Sequence, residues 1–322
     1  MKIQFVVPNS ASRTKGNFVT ATRWAAICRE LGHRTKICRV DDFKVKWNAD
    51  VLVGLHAVHS APVIAEFRGR FPARPIGVML TGTDMVAAGQ KRTAAAQRSM
   101  QTADFLVTLN QMAKDWLPAD LQTKAFVIPQ SAQVGNVKRI KPLSSVFEVC
   151  VVGHLRKEKD PFRPALAARL LPEASRIRVH HFGAALSAAF ARRAAQLSAS
   201  ESRYRWFGHY PRWKVLRRIA RSRVLVQPSR SEGGASTISE AILLSTPIIA
   251  SRISGNVGIL GADYPALFEC ENTQQLSDLL FRFETDRQFH QHVAAATRAL
   301  QSLVSPTNEQ RRIKQLLNQF TR

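Results

Sequence analysis

Short apolar runs alternate along the chain with longer segments that show helical periodicity. A helix is predicted over 19–31, where Trp24, Cys28 and Leu31 share one face and Gly32 can end it. In this first part of the chain, apolar runs predict strands over 3–7, 35–38, 51–55, 76–80, 105–109 and 126–128. Alternation of strands and helices predicts a parallel sheet with helices on both faces.

The same pattern starts again after residues 140–145, a stretch with one proline and two serines that is typical of a linker. Predicted strands then cover 147–152, 177–182, 204–207, 224–227 and 247–250, and predicted helices cover 161–171, 184–197, 213–220, 237–244 and 307–320. We therefore expect an α/β protein of two domains, residues 1–143 and 144–306, facing a cleft. Ligands of open parallel sheets bind at the carboxyl ends of the strands, so this cleft is the expected site.

Charge and cysteine content narrow the choice of partners and compartment. The chain has 322 residues with 47 Lys or Arg and 23 Asp or Glu, which gives a net charge of +24. This excess suits nucleotides, phosphate esters, nucleic acid or an acidic membrane face, and a basic surface without a role is the alternative. Four scattered cysteines without a Cys-x-x-Cys pair are typical of a reducing compartment. No apolar run approaches the ~20 residues of a bilayer span. We expect a cytoplasmic protein without stable membrane insertion.

Several familiar catalytic patterns are missing from the sequence. It contains no G-x-G-x-x-G after a strand, no Walker A motif, no H-E-x-x-H and no G-x-S-x-G. These absences argue against a dehydrogenase, a kinase, a zinc protease and an α/β-hydrolase. A D-x-D pair is also missing, so we expect neither a bound metal nor a cofactor.

Residues 227–241 are the richest in candidate chemistry. A buried strand is followed by a loop with Gly233 and Gly234 and then by the start of a helix. Glycines let a ligand approach the backbone closely, and a helix N-terminus offers unpaired N–H groups that suit a diphosphate. The alternative is purely structural, because Thr237 and Glu240 have the spacing of a capping box.

This segment resembles the E-x7-E signature of retaining GT-B glycosyltransferases, with Glu232 and Glu240 at the acidic positions. The resemblance implies that Glu240 holds the ribose hydroxyls of a nucleotide and that Glu232 lies near the donor sugar. It also implies the GT-B fold, with two Rossmann-like domains and a C-terminal helix, within 307–322, that crosses back to the first domain.

A second segment, residues 153–160, resembles the G-R-L-x-x-x-K-G motif of the same family, whose Arg and Lys grip the diphosphate. Lys159 takes the Lys position, but His154 stands at the Arg position, so Arg156 is expected to take that role. The alternative is a solvated basic loop. The donor-binding set that the resemblance implies is Gly153, His154, Gly208, His209, Gly233, Gly234, Ala235, Ser236, Thr237 and Glu240.

Five longer strings resemble a narrower family, the selenosugar synthases of selenoneine biosynthesis. They lie at residues 16–24, 80–84, 153–163, 229–234 and 251–258, in order across most of the chain. That family joins selenophosphate to a UDP-sugar, typically UDP-N-acetylglucosamine, and yields a 1-seleno sugar. The resemblance implies these two substrates, with a selenophosphate synthetase and a selenoneine synthase as pathway neighbours.

The first domain is expected to bind selenophosphate through loops that follow its strands. The implied acceptor-binding set is Arg13, Lys15, Gly16, Asn17, Thr20, Thr83 and Asp84, and the candidate catalytic set is Lys159, Arg156, Glu232 and His56. Structural alternatives exist in the first domain: His56 suits a buried hydrogen-bonded histidine, and Asp84 suits a helix N-cap.

Two other functions stay open at this stage. The first is a GT-B transferase that uses an oxygen acceptor, a lipid or glycan, at the inner membrane surface, with His56 or Asp84 as the base. The second is a basic nucleic-acid-binding protein with a degenerate site. The low aromatic content of 8% and the absence of a recognised binding motif argue against nucleic acid as a partner.

Overall fold

The computed structural model describes residues 1–9, 16–44, 47–81 and 93–320. The chain forms two compact units, one made of Met1–Pro129 with Thr307–Arg322 and the other of Gln130–Pro306. Each unit contains one six-stranded sheet, and every strand pair in both sheets is parallel.

The first unit has the strand order β2-β1-β3-β4-β5-β6. Its elements are β1 (Lys2–Val7), α1 (Gly16–Glu30), β2 (Arg34–Arg39), β3 (Val51–Leu55), α2 (Ala61–Arg70), β4 (Ile76–Met79), α3 (Ala94–Thr102), β5 (Phe105–Thr108), α4 (Gln111–Asp115), α5 (Ala119–Gln122) and β6 (Ala125–Val127).

The second unit has the strand order β12-β11-β10-β7-β8-β9. Its elements are β7 (Phe147–Val152), α6 (Arg163–Arg169), β8 (Ile177–Phe182), α7 (Ala188–Ser200), β9 (Tyr204–Trp206), α8 (Arg212–Arg221), β10 (Val224–Gln227), α9 (Ser236–Leu243), β11 (Ile248–Ser251), α10 (Ser254–Leu260), β12 (Leu267–Phe268), α11 (Thr273–Thr285) and α12 (Arg287–Ala299). A final helix, α13 (Pro306–Asn318), follows.

Helices cover both faces of the first sheet. Along β3, Val51 and Val53 join the core that α1 and α13 complete, whereas Leu52 joins the core under α2 and α3. Strands that are buried on both faces read as continuous apolar runs, which explains why their positions could be predicted. Gly77 of β4 leaves the space that the Phe105 ring occupies, since an added Cβ would lie 2.2 Å from that ring.

Helix α13 packs on the first unit, as expected for the crossing back. Its apolar face contributes Ile313, Leu316 and Leu317 to the core shared with β1 and α1. One turn earlier, the buried Glu309 carboxylate accepts hydrogen bonds from Arg23 Nε at 2.9 Å and from Trp24 Nε1 at 3.1 Å. The last helix is therefore held by apolar packing and by one buried ion pair.

The structure divides the chain earlier than the predicted limit at 143/144, between Pro129 and Gln130. The apolar side chains of Val134, Val137 and Ile140 pack against the core of the second unit. The Ile140 N–H donates to Ala220 O at 2.9 Å, and Arg139 Nη2 donates to Ser222 O at 2.7 Å. Residues 130–143 thus run along the second unit.

Some further features were not among the sequence expectations. Trp213 is 59% exposed, because α8 turns Val215, Leu216 and Ile219 inward. Strand β12 and helices α10, α11 and α12 were not predicted. None of the four cysteines forms a disulfide. Within the described ranges, no helix combines the length and the apolar character that crossing a bilayer requires.

Replacing Glu309 with alanine should strongly destabilise the first unit. The change leaves the Arg23 guanidinium, whose side chain is 9% exposed, without its carboxylate. An uncompensated buried charge costs about 3–5 kcal/mol, so the free energy of unfolding in urea should fall by that amount. Gln310→Ala on the same helix removes only an exposed contact to Glu30 and should change it by less than about 0.5 kcal/mol. An equal decrease in the free energy of unfolding for the two variants would contradict the stabilising role of the Arg23–Glu309 ion pair.

Candidate functional site

Two loops of the second unit meet at the carboxyl ends of the neighbouring strands β7 and β10. The first loop spans 153–160 and the second spans 228–235. The backbone N–H of Arg230 donates to Glu158 O at 2.8 Å, which joins the loops directly. The two segments that stand out in the sequence are therefore adjacent in the structure.

An ion pair between Lys159 and Glu232 lies at the centre of this contact. Their side chains are 18% and 9% exposed, respectively, so the pair is largely shielded from water. Glu232 Oε1 also accepts hydrogen bonds from Gln227 Nε2 at 2.9 Å and from Ser229 Oγ at 2.7 Å. The site thus holds a cation and an anion in fixed contact, and both are members of the candidate catalytic set.

The backbone of the first loop explains the position of Lys159. This residue ends a 3₁₀ turn, Lys157–Lys159, and Asp160 follows in the left-handed region at φ 41°. The Asp160 carboxylate then accepts a hydrogen bond from Arg163 Nε at 2.8 Å, which fixes the start of α6. Arg156 differs, since its side chain is half exposed and its Nε lies 3.8 Å from Glu158 Oε2.

A buried histidine that sequence reasoning missed supports the start of the same loop. His181 Nε2 donates to Gly153 O at 3.1 Å, and its Nδ1 accepts from the Tyr204 hydroxyl at 3.0 Å. Burial lowers the pKa of His181 to about 4, so the ring is neutral at pH 7. Gly183 comes so close that an added Cβ would lie 1.9 Å from Gly153 O.

The predicted residues around this loop occupy defined positions. The Ala184 N–H donates to His154 Nδ1 at 3.2 Å. Burial and the nearby positive charge of Arg156 lower the pKa of His154. Gly208 adopts φ 70° and its carbonyl accepts from the Gly183 N–H at 2.8 Å, while His209 is exposed. His154, Gly208 and His209 therefore lie close to Gly153 in the structure.

Helix α9 begins at Ser236, with Ala235 as its N-cap residue and no side-chain cap. The capping-box interpretation is wrong, because Thr237 Oγ1 donates instead to Gln227 Oε1 at 2.9 Å. The first N–H groups of a helix have no carbonyl partner within it, and they carry the positive end of the helix dipole. Together with the partly exposed Gly233 and Gly234, this helix start can hold an anion.

Glu240 lies further along α9, in its fifth position, and is 7% exposed. Its Oε1 accepts from Arg212 Nη2 at 2.8 Å, and Arg212 is half exposed. Burial raises the pKa of Glu240, and the Arg212 charge acts in the opposite direction. Sequence reasoning missed Arg212, because it lies in the preceding helix, α8, and no motif around it indicates a contact with Glu240. The carboxylate has acceptor capacity left for hydroxyl groups.

The first-unit candidates are only partly covered by the structure. Arg13, Lys15, Thr83 and Asp84 lie outside the described residues. Gly16 and Asn17 open α1, and Thr20 is buried on the same helix.

His56 follows the end of β3 in a strained backbone conformation, φ 82°, which most residues avoid. Its N–H donates to Met79 O at 3.0 Å, and its Nδ1 accepts from the His59 N–H at 3.5 Å. The two imidazole rings lie 4.4 Å apart, centroid to centroid. Strain of this kind at a strand end is common at functional sites.

No group of three or more His, Cys, Asp or Glu side chains with an arrangement for holding a metal ion occurs among the described residues. In the described part of the site, positive charge comes from Lys159, from the half-exposed Arg156 and from the start of α9.

Solved structures of low sequence identity share the fold over the whole chain. HepE of Anabaena, solved in complex with UDP and glucose, gives a TM-score of 0.78 at 13% identity and covers 99% of this chain and 100% of that chain. Sucrose-phosphate synthase of Thermosynechococcus elongatus gives 0.80 at 14% identity, with 98% of both chains covered. A glycosyltransferase of Rickettsia africae gives 0.78 at 15% identity, again with 98% of both. The fold is therefore GT-B.

Among curated proteins, no sequence matches this chain significantly. The family described as "Glycosyl transferases group 1" matches residues 136–300, just over half of the chain. This matched region lies entirely within the second unit and contains both loops of the site. The fold, the site and the family match agree, and the chain belongs to the group 1 glycosyltransferases.

Proposed function

We propose that this glycosyltransferase takes a sugar, N-acetylglucosamine, from a UDP-sugar and transfers it to selenophosphate, which gives a 1-seleno sugar for selenoneine biosynthesis. The observation that carries the proposal is the Lys159–Glu232 ion pair, which lies next to the start of α9 at the carboxyl ends of β7 and β10. A cation and a helix start suit the diphosphate, and a carboxylate suits sugar hydroxyls.

The UDP moiety is assigned to the second unit. The Glu240 carboxylate accepts hydrogen bonds from the ribose hydroxyls through the lone pairs that Arg212 does not use. The backbone amides of Ser236 and Thr237 hold the diphosphate. HepE of Anabaena, which shares the fold, was solved with UDP and with UDP-glucose, and this supports a UDP-sugar as donor.

The chemistry requires charge stabilisation more than proton transfer. The bond between the sugar C1 and the β-phosphate oxygen breaks, and UDP leaves with the electron pair. Lys159, with Arg156 from the exposed side of the loop, stabilises the charge that grows on the leaving group. The selenium of selenophosphate arrives ionised and forms the new bond to C1, so it needs no general base. Water then cleaves the Se–P bond to release phosphate.

The selenium acceptor rests on the sequence resemblance, and the structure provides a physical use for parts of it. In the string 251–258, Gly255 packs so closely that an added Cβ would lie 2.0 Å from Glu232 O. The Asn256 amide donates to Ser251 O at 3.0 Å beneath the same loop. This string therefore packs beneath the loop that carries Glu232.

The products decide the function. Purified protein with UDP-N-acetylglucosamine and selenophosphate should yield UDP and a seleno sugar that mass spectrometry identifies by its selenium isotope pattern. Phosphate and thiophosphate serve as matched acceptors and should react much more slowly. Transfer of the sugar only to a lipid or glycan hydroxyl would contradict the selenium acceptor and favour an oxygen-acceptor transferase, which would need a base such as His56.

Glu240→Ala should weaken UDP binding while the fold persists. Losing two hydroxyl bonds to a carboxylate costs about 2–4 kcal/mol, on the order of 10²-fold in the dissociation constant. Calorimetry measures the affinity and thermal unfolding measures the stability. A lower melting temperature with unchanged UDP affinity would show that Glu240 is only structural.

Arg212→Met tests the same carboxylate through its pH dependence. Burial raises the pKa of Glu240 and Arg212 lowers it, so the pKa rises further without Arg212. The carboxylate is then protonated at a higher pH in the variant than in the wild type. UDP affinity should therefore fall at a higher pH in the variant than in the wild type, while protonation of UDP itself is common to both.

Lys159→Ala should lower kcat by about 10²–10³-fold and change KM by less than about threefold, because its charge acts mainly as the diphosphate leaves. Lys157→Ala, an exposed lysine in the same turn, is the matched control and should leave kcat unchanged. Wild-type turnover should also persist in a chelator, since Lys159 and the helix amides supply the positive charge. A loss confined to KM, or a strict need for a divalent ion, would overturn this role.

A further inference from the structure

All donors that the described residues give to the Glu232 carboxylate converge on one of its oxygens. Lys159 Nζ, Gln227 Nε2 and Ser229 Oγ all bond Oε1. Oε2 accepts no hydrogen bond within the described part of the chain. Turning the bonded oxygen away from these donors would break three hydrogen bonds at once, so the plane and direction of the carboxylate are fixed.

Gln227 is the buried centre of this arrangement. Its Nε2 donates both to Glu232 Oε1 and to Ser229 Oγ, the latter at 2.8 Å. Thr237 Oγ1 donates to the other end of the amide, Gln227 Oε1, at 2.9 Å. Because Gln227 Oε1 accepts the Thr237 hydroxyl proton, the amide nitrogen of Gln227 faces the Glu232 carboxylate. The opposite orientation would place a carbonyl oxygen against an anion.

Hydrogen bonds from two buried residues fix the backbone position of Ser229. The Ser251 hydroxyl donates to Ser229 O, and Asn256 Nδ2 donates to Ser251 Oγ at 3.1 Å. Ser229, Ser251 and Asn256 are all fully buried. The hydroxyl that Ser229 offers to Glu232 thus belongs to the start of the loop after β10, where buried hydrogen bonds hold the backbone in place.

We propose that Gln227, oriented by Thr237, and Ser229 are positioning residues that hold the Glu232 carboxylate with Oε2 presented to the donor sugar and Lys159 beside the diphosphate. The inference rests on the proposed function for the identity of the donor. Neither Gln227 nor Ser229 needs to touch the sugar. Thr237 then has a role through its side chain that is separate from the backbone amide it offers at the start of α9.

The test compares two hydroxyl deletions on the same helix. Thr237→Val removes the group that orients Gln227, while Ser239→Ala removes a hydroxyl that donates to Gln130 O at 3.0 Å outside the network. Both variants lose one buried hydrogen bond, so their melting temperatures should fall by similar amounts. Only Thr237→Val should lower kcat, by about tenfold, with UDP affinity unchanged. Thr237→Ser keeps the hydroxyl and should recover most of the rate.

Gln227→Met supplies the second variant, because it keeps the volume and removes both donors. Its kcat should fall at least as far as that of Thr237→Val. If both variants turn over UDP-N-acetylglucosamine at the rate of Ser239→Ala, the inference is wrong.

A crystal structure of Gln227→Met tests the positioning role without depending on the proposed reaction. If the wild type releases no UDP from the donor with any acceptor, the proposed function has failed, but the position of Glu232 can still be measured. The carboxylate should move by about 1 Å or more away from Ser229. A carboxylate that keeps its wild-type position and contacts would overturn the positioning role.

Discussion

The contact between Lys159 and Glu232 is the constraint on which the arrangement of the site depends. A shielded ion pair is stable only where further hydrogen bonds satisfy its polar atoms, and Gln227 and Ser229 provide them. The pair also ties the loop after β7 to the loop after β10, with the Arg230–Glu158 backbone bond beside it. Two parallel strands that are neighbours in the sheet are needed to bring these loops together, so the topology is a condition of the chemistry.

The sequence predicted what depends on local pattern and missed what depends on distant contacts. Strands buried on both faces read as apolar runs, and β7 and β10 were predicted with their exact limits. The limits of β8 were also predicted, although this strand alternates buried residues with the partly buried Arg178 and His180. The two-residue strand β12 has no readable period. The boundary between the units lies at 129/130 and not at 143/144, because the apolar side chains of residues 130–143 are too sparse in sequence to indicate which unit they join. Lys159, Glu232 and Glu240 could be proposed from their motifs. The contact of Arg212 with Glu240 could not be proposed, because no motif near Arg212 in the sequence indicates it.

Several arginines of this basic chain, whose net charge is +24, form internal contacts. Arg203 donates to four backbone carbonyl oxygens between residues 168 and 173, and Arg139 donates to two near the end of α8. Arg23 holds Glu309, and Arg221 holds Glu148. A guanidinium group satisfies several carbonyls at once and can stay charged while partly buried. The total charge is therefore a poor guide to ligands, and the local surroundings of each cation decide.

Two buried glutamates of the second unit, Glu148 and Glu240, differ in how far the described residues satisfy their carboxylates. Burial alone would raise the pKa of Glu148, but His180 and Arg221 hold it below its usual value. Glu148 is 1% exposed and its demand for donors is met inside the fold. Glu240 is almost as buried, yet it has a single half-exposed partner, Arg212, and its pKa stays raised. Burial removes water, so a buried carboxylate with too few hydrogen-bond donors is destabilised. Two hydroxyl groups of a ligand can replace the missing donors, and they therefore stabilise such a carboxylate more than one whose hydrogen bonds are already complete. This unmet demand is the physical reason to assign the ribose to Glu240.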